Sequence, residues 1–296
     1  MAEKYYYGRV GHVSIEDKDG TMHDYGDTTV DKNLDFKFKI KRSRGVGRIS
    51  AHIDILGLSH EQIDSLIYWG PEDRTISRLR KIQVFAGYRD SGEVMIYEGY
   101  VISARPSPFP ENWLSIESDQ LQLADAMMNV TFSETPIKGI LKSIAKFYKK
   151  GFNWDNDIPE KVIGQYIANK PLDNLLNDIE KLDDNVMIRL EGGTIYAKFR
   201  GTKKIDTTIS AENGLMLVEE VSFTSMIFKM RLEPDIRTND ILKIESTLYP
   251  SLSGNTWEVY QVEHIGHLRG NEWETRVITW STEETKRKNT KRPEKG

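Results

Sequence analysis

The N-terminal third of the chain alternates. Leu34-Asp35-Phe36-Lys37-Phe38-Lys39-Ile40-Lys41 carries an apolar side chain at every second position. That period predicts a half-buried antiparallel strand with Leu34, Phe36, Phe38 and Ile40 on its inner face. His12-Val13-Ser14-Ile15-Glu16 reads as strand before it, followed by the turn sequence Asp17-Lys18-Asp19-Gly20. Gly45-Val46-Gly47 interrupts the pattern, and Ile49 to Ile55 resumes it. A short helix follows: Ser59 caps it, Gln62 sits three residues on, and Ile63, Leu66 and Ile67 form its apolar stripe. Gly70-Pro71 is the expected stop. Ile82 to Tyr88 and Val94 to Ser103, around Asp90-Ser91-Gly92, predict a hairpin. Pro106, Pro108 and Pro110 then mark a loop before Trp113 to Ser118.

The period changes after about residue 120. Thr135 precedes Pro136, which suits a first helical position because its missing N–H is not needed there. Ile137, Ile140, Leu141, Ile144, Ala145 and Tyr148 follow at helical spacing. Lys149 and Lys150 suit the negative end of that helix, and Gly151 is its expected terminator. Leu172, Leu175, Leu176, Ile179 and Leu182 stripe a second helix. Val186 to Leu190 and Thr194 to Phe199 flank Gly192-Gly193, a tight hairpin turn. From about residue 206 the strand pattern returns and runs to Trp280.

The two strand-rich stretches echo each other. Gly92 opens a run through Tyr97, Tyr100 and Val101, and after a loop Trp113 starts the returning strand. Gly254 opens a run through Trp257, Tyr260 and Val262, and Trp273 starts the return. The glycine-to-tryptophan distances are 21 and 19 residues. Any two hairpins share some of this; the order of features reads as two related β-barrel-like modules.

Composition narrows the function. The 296 residues hold 41 basic and 45 acidic side chains, a formal net charge of −4. Residues 283–296 carry six basic against three acidic groups, so the rest of the chain has 35 against 42, a net of −7. An acidic body is poorly equipped to bind nucleic acid over its whole surface. The basic segment could touch phosphate or an acidic partner, although a solvated, frayed C-terminus explains it as well. With no cysteine, disulfides, thiolate catalysis and Cys-ligated zinc are excluded together. No membrane segment and, from Met1 to Tyr7, no secretory signal are expected.

Motifs for chemistry are sparse. His264 and His267 form an HxxH, but their flanks read as strand, where positions i and i+3 face opposite ways. The glutamate of HExxH is absent. Gly45-Val46-Gly47 lacks the third glycine and the helix of a phosphate-binding fingerprint. The adjacent acid pairs Asp183-Asp184, Glu219-Glu220 and Glu283-Glu284 do not supply the separation glycoside hydrolysis requires. Tyr5-Tyr6-Tyr7-Gly8-Arg9-Val10 interleaves aromatics with a base but reads better as packing than as a stacking platform. No catalytic, cofactor-binding or metal-ligating residues are assigned, and no cofactor is expected.

Five segments together carry a resemblance. They are Phe36-Lys37-Phe38 leading to Ala51 through Ser59; Ile82-Gln83-Val84-Phe85-Ala86-Gly87-Tyr88 with Tyr97-Glu98-Gly99-Tyr100-Val101; and Phe132-Ser133-Glu134-Thr135-Pro136-Ile137. The fourth is Leu232-Glu233-Pro234-Asp235-Ile236-Arg237-Thr238-Asn239-Asp240, and the fifth Trp257 to His264 with Trp273-Glu274-Thr275. In this order they resemble the central baseplate hub proteins of contractile phage tails, the tail hub or late control protein D-like family. Asn239 stands where the family pattern has glycine, and asparagine tolerates left-handed backbone.

The resemblance implies a fold that is mainly β with an α+β insert: two similar antiparallel β-barrel-like domains flanking a small helical and hairpin domain. The expected boundaries are 1–120, 121–205 and 206–282, followed by a basic tail at 283–296. It also implies a structural, non-enzymatic homotrimer in the virion tail baseplate, made and assembled in the host cytoplasm. Three chains with two β modules each would adapt the sixfold tail tube protein to a threefold central spike, with wedge and tape-measure proteins as further candidate partners. DNA would be passing cargo in the channel. The alternatives are a tail-associated cell-wall hydrolase using a carboxylate pair and a β-barrel nucleic-acid-binding module.

Overall fold

A computed structural model describes residues 8–26, 34–43, 49–67, 79–108, 113–120, 127–191, 193–200, 205–222, 224–247 and 249–282. The chain forms two compact units. One comprises Met1–Arg42, Arg48–Leu121 and Ile205–Gly296; the other comprises Ser43–Gly47 and Gln122–Lys204. The glycine pair at 45 and 47, the stop at Gly70-Pro71 and the tail at 283–296 lie outside the described residues.

The first unit begins with strands β1 (Arg9–Glu16), β2 (Met22–Gly26), β3 (Asp35–Ser43) and β4 (Ser50–Leu56), then helix α1 (His60–Leu66). Strands β5 (Lys81–Tyr88), β6 (Gly92–Pro106) and β7 (Trp113–Asp119) complete the first half. The alternation predicted for β3 is seen, with Phe36, Phe38 and Ile40 buried. Asp17 makes the β1–β2 turn by accepting from the Asp19 and Thr21 amides at 2.8 and 3.0 Å. Helix α1 opens with the predicted capping box: Ser59 Oγ accepts from the Gln62 amide, and Gln62 Oε1 accepts from the Ser59 amide.

The second unit holds β8 (Val130–Pro136), α2 (Ile137–Phe147), β9 (Gly151–Trp154), β10 (Val162–Ala168), α3 (Leu172–Leu182), β11 (Val186–Glu191) and β12 (Thr194–Phe199). Two details differ from the sequence reading. Pro136 is the N-cap of α2 and not its first helical residue. The helix is closed by Lys149, at φ +52°, and not by Gly151. The Lys150 amide donates to Ala145 and the Lys149 amide to Lys146, the paired bonds of a Schellman closure. Gly151 instead opens β9, where a Cβ would collide with Thr194 of the adjacent strand. The apolar stripes of both helices pack with Val186, Ile188 and Ile195 into this unit's own core.

The first unit resumes with β13 (Thr207–Ile209), β14 (Leu215–Ser222), β15 (Ser225–Arg231), β16 (Ile241–Ile244), β17 (Thr256–His267) and β18 (Trp273–Ser281). All thirteen of its strands belong to one sheet. The path runs β14-β15-β18-β17-β3-β4-β7-β6-β5-β1-β2, with β16 beside β17 and β13 beside β16. Two cores lie along it, one built mainly from residues 13–116 and one from residues 209–277.

Within this sheet the echo becomes a repeat of connectivity. Strands three to seven pair in the order β3-β4-β7-β6-β5; strands fourteen to eighteen pair as β14-β15-β18-β17-β16. Every pair in both series is antiparallel. The long strand is bulged against its return in both, at Ile102 in β6 and at Tyr260 in β17. Taking the bulges as the reference aligns Leu114 with Thr275, both inward-facing and buried. Trp113 and Trp273 are then one residue out of phase: Trp273 points into the core, while Trp113 lies half-buried on the other face. The aromatic spacing located the hairpins but misjudged which residues correspond.

Candidate functional site: the seam between the two β halves

The two halves meet where β17 pairs with β3. The edge of β3 presents the Phe36 carbonyl, which accepts from the Leu268 amide at 3.0 Å. Asp35, at the start of β3, holds the end of β17 with both carboxylate oxygens: Oδ2 lies 2.8 Å from His267 Nε2, and Oδ1 accepts from the Arg269 amide at 3.1 Å. Arg9 reaches the same turn from β1. Its guanidinium donates to the His267 carbonyl at 3.1 Å, to the Asn271 carbonyl at 3.0 Å and to the Gly270 carbonyl. Hydrogen bonds to a charged group are stronger than neutral ones, so the turn has charge-assisted contacts on two sides.

Apolar packing backs these bonds. Trp273 stands edge-on to Phe38 at 5.4 Å between ring centroids, and its indole N–H donates to the Gly87 carbonyl at 3.2 Å. Trp273 and Leu232 are members of the first half's core, and Leu268 packs against it. The second half therefore completes the core of the first. Gly266 is required at this point because a Cβ there would run into the Phe38 ring. On the outer face, Lys37 Nζ sits 4.2 Å over the Trp113 ring, whose edge meets His267.

The predicted candidates fall out as follows. His264 and His267 face opposite ways, as strand spacing requires. His264 is fully buried with Nδ1 2.9 Å from Thr275 Oγ1, while His267 serves the seam. Burial, and then the nearby Arg42 and Arg237 charges, hold the His264 pKa well below 6.5, so its ring is neutral. Among the described residues no three His, Asp or Glu side chains gather into a group that could hold a metal ion. Asp183 is used by a loop: its Oδ1 accepts from the Asn185 amide and side chain, each at 3.0 Å. Glu219 lies on the exposed surface, 3.9 Å from Arg276. Glu283, Glu284 and Tyr5 to Tyr7 lie outside the described residues. No helix of the described residues is long and apolar enough to cross a membrane.

Asn239 adopts the left-handed conformation that its place in the motif implied, at φ +68°. Its amide donates to Val259 at 2.9 Å, and Asp240 Oδ2 accepts from the Arg237 amide at 2.7 Å. The motif is thus a turn that seats Ile236 in the second core. Sequence reasoning missed Arg9, Asp35 and Gly266. Their partners lie more than 200 residues away or on another strand, and the only local signal was the alternation that made β3 a strand.

A family described as baseplate hub gp41 matches residues 13–273. The chain belongs to this family. It is a structural component of a phage tail baseplate, as the family's description states. Solved structures show the same fold at about 10% identity. A 43 kDa tail protein of prophage MuSo2 from Shewanella oneidensis aligns with a TM-score of 0.63 at 10% identity, covering 93% of this chain and 98% of that one. A tail protein from Neisseria meningitidis MC58 gives 0.62 at 10% identity, with 93% and 97% covered. An Escherichia coli component of the type VI secretion system, described as similar in structure to the T4 bacteriophage tail proteins gp27 and gp5, gives 0.57 at 10% identity over 85% and 74%. Among curated proteins none matches significantly.

Proposed function

We propose that this protein is the hub of its baseplate as a homotrimer, in which six β halves form a ring between a sixfold tail tube and a threefold central spike. The observation that carries this reading is the repeated strand order, β3-β4-β7-β6-β5 and β14-β15-β18-β17-β16, within one chain. A threefold assembly can mate with a sixfold one only if each protomer offers two equivalent surfaces. The reading takes 1–120 and 206–282 as the two equivalent modules, 121–205 as the insert between them, and 283–296 as a basic tail. The fold likeness to a secretion component that itself resembles T4 gp27 and gp5 supports the same architecture.

The role is mechanical and not enzymatic. The tube protein and the spike are the principal partners, wedge and tape-measure proteins are further ones, and DNA passes as cargo. Assembly takes place in the host cytoplasm before the hub enters the virion. Light scattering and negative-stain imaging of the purified protein test the proposal. Particles of three chains with a threefold or sixfold outline are expected. A strict monomer that associates with no tube protein overturns it.

A further inference from the structure

We infer that the seam between chains is built by the outer edge of β14 of one protomer against the distal half of β6 of the next, the partner being a second copy of this chain. The inference rests on the trimeric reading above and adds to it which strands meet.

The argument starts from the seam inside the chain. There the edge strand of the first half, β3, is covered by β17 beyond the stretch that β16 occupies. In the repeat, β14 corresponds to β3 and β6 corresponds to β17. The correspondence holds at single residues. The Val101 amide donates to Arg80 and the Val259 amide to Asp240, each at 2.9 Å, just before each bulge. Beyond those points β17 goes on to meet β3. The counterpart stretch of β6, Ile102–Pro106, has only β7 beside it among the described residues, and β14 has only β15. The two strands that would form a second seam are both present and both open.

Burial agrees with a missing cover. Through their partners Ile55 and Ile53, Phe36 and Phe38 correspond to Leu215 and Val218, which lie opposite Met230 and Phe228. Phe38 is 2% exposed beneath the seam, whereas Leu215 and Val218 are only half-buried. Met216 and Leu217 beside them are 50% and 38% exposed, and Ile102 on the open half of β6 is 47% exposed. Exposed apolar side chains on both partners of an unformed pair are what a head-to-tail interface leaves on an isolated protomer.

The distal half of β6 also carries a guard. The Ser107 amide donates to Trp113 across the hairpin, so strand alternation turns positions 106 and 108 to the open edge. Both are proline and lack an N–H. This edge keeps carbonyl acceptors but few donors, which discourages pairing with stray strands. The chain–chain seam is accordingly less hydrogen-bonded than the internal one, and a ring of three chains alternates three tight seams with three that open first.

The absence of native cysteine makes the test direct. Leu217→Cys is combined with Ile102→Cys or with Arg105→Cys, all at exposed positions, and the control combines Leu217→Cys with Met22→Cys on the opposite end strand. Under mild oxidation the β14–β6 combinations should give covalent dimers and trimers on non-reducing electrophoresis, reverting to single chains on reduction. The control should not. In addition, Leu217→Lys should weaken self-association at least tenfold without shifting the melting temperature. If the solution mass is three chains but only the control cross-links, or none does, the seam assignment falls and the trimer stands. If the unsubstituted protein is not a trimer either alone or in assembled tails, the hub reading falls and the seam falls with it.

Discussion

The first β half closes its core and the second does not. Both run the same five strands in the same pairing order, yet Phe36 and Phe38 of β3 are sealed by β17, Trp273 and Leu268, while Leu215 and Val218 of β14 are left half-open. The difference is not one of local sequence quality, since both edge strands alternate or nearly do. It lies in what covers them. A strand edge needs a neighbour for its backbone groups and a cover for its inward side chains. In the first half the second half of the same chain supplies both. The second half must obtain them from another chain or do without.

The largest expected effect follows from that asymmetry. Phe38→Ala removes a buried ring that touches Trp273 and lies against Gly266, and should destabilise the isolated protein by about 3–5 kcal/mol. Val218→Ala, at the corresponding position, should cost only about 1 kcal/mol in the isolated chain because the site is already half-open. Chemical denaturation of both variants at concentrations below association measures the gap. Equal losses would mean that the two edges are finished alike, and the comparison would collapse.

A smaller difference concerns acid. His264 of β17 corresponds, through its partner Thr275, to Pro106 of β6, which lies opposite Leu114. Only the second half therefore carries a buried imidazole. Burial, with Arg42 and Arg237 nearby, keeps it neutral in the folded protein, its pKa held well below 6.5. The unfolded chain takes up a proton below about pH 6.5 while the folded chain does not, so stability is retained above that pH and lost as pH falls. One such group contributes at most about 1.4 kcal/mol per pH unit. Melting temperatures between pH 7.5 and 5 should decline in the native protein, and His264→Gln should flatten that decline. An unchanged slope would remove His264 as its source.

Much of this contrast could be read from the sequence, and the unread part has a physical cause. The alternation of β3, the capping box at Ser59 and Gln62, the left-handed Asn239 and the two long hairpins all depend on residues within a few positions of each other. Local chemistry determines them. The end of α2 was misplaced because Lys149 adopts a conformation in which glycine is usual, and Gly151 was the nearer expectation. The tryptophan echo was out of phase because spacing counts residues and cannot see a bulge that shifts the register by one. The seam itself was invisible. Phe36 and Leu268, or Asp35 and His267, meet across more than 230 residues with no periodicity linking them. What the sequence did reveal, through five weak segments in order, was the family, and that implied a duplication whose residue-level correspondence needed the strand pairing.

The smallest effect should be the most symmetrical. Gly92 and Gly254 each stand at φ +79° before their long strand, and neither has any atom within 4 Å of where a Cβ would project. Alanine at either site would meet no steric clash with neighbours, so the only penalty is the left-handed backbone, about 1 kcal/mol for a residue with a Cβ. If the two halves share a turn that enters the long strand in one conformation, Gly92→Ala and Gly254→Ala should lower stability by the same amount, and asparagine should recover part of it at both positions. Unequal losses would show that the halves share strand order but not the turns that start it. The repeat would then be one of topology alone, and the two surfaces that it offers to a sixfold partner would differ at their glycine ends.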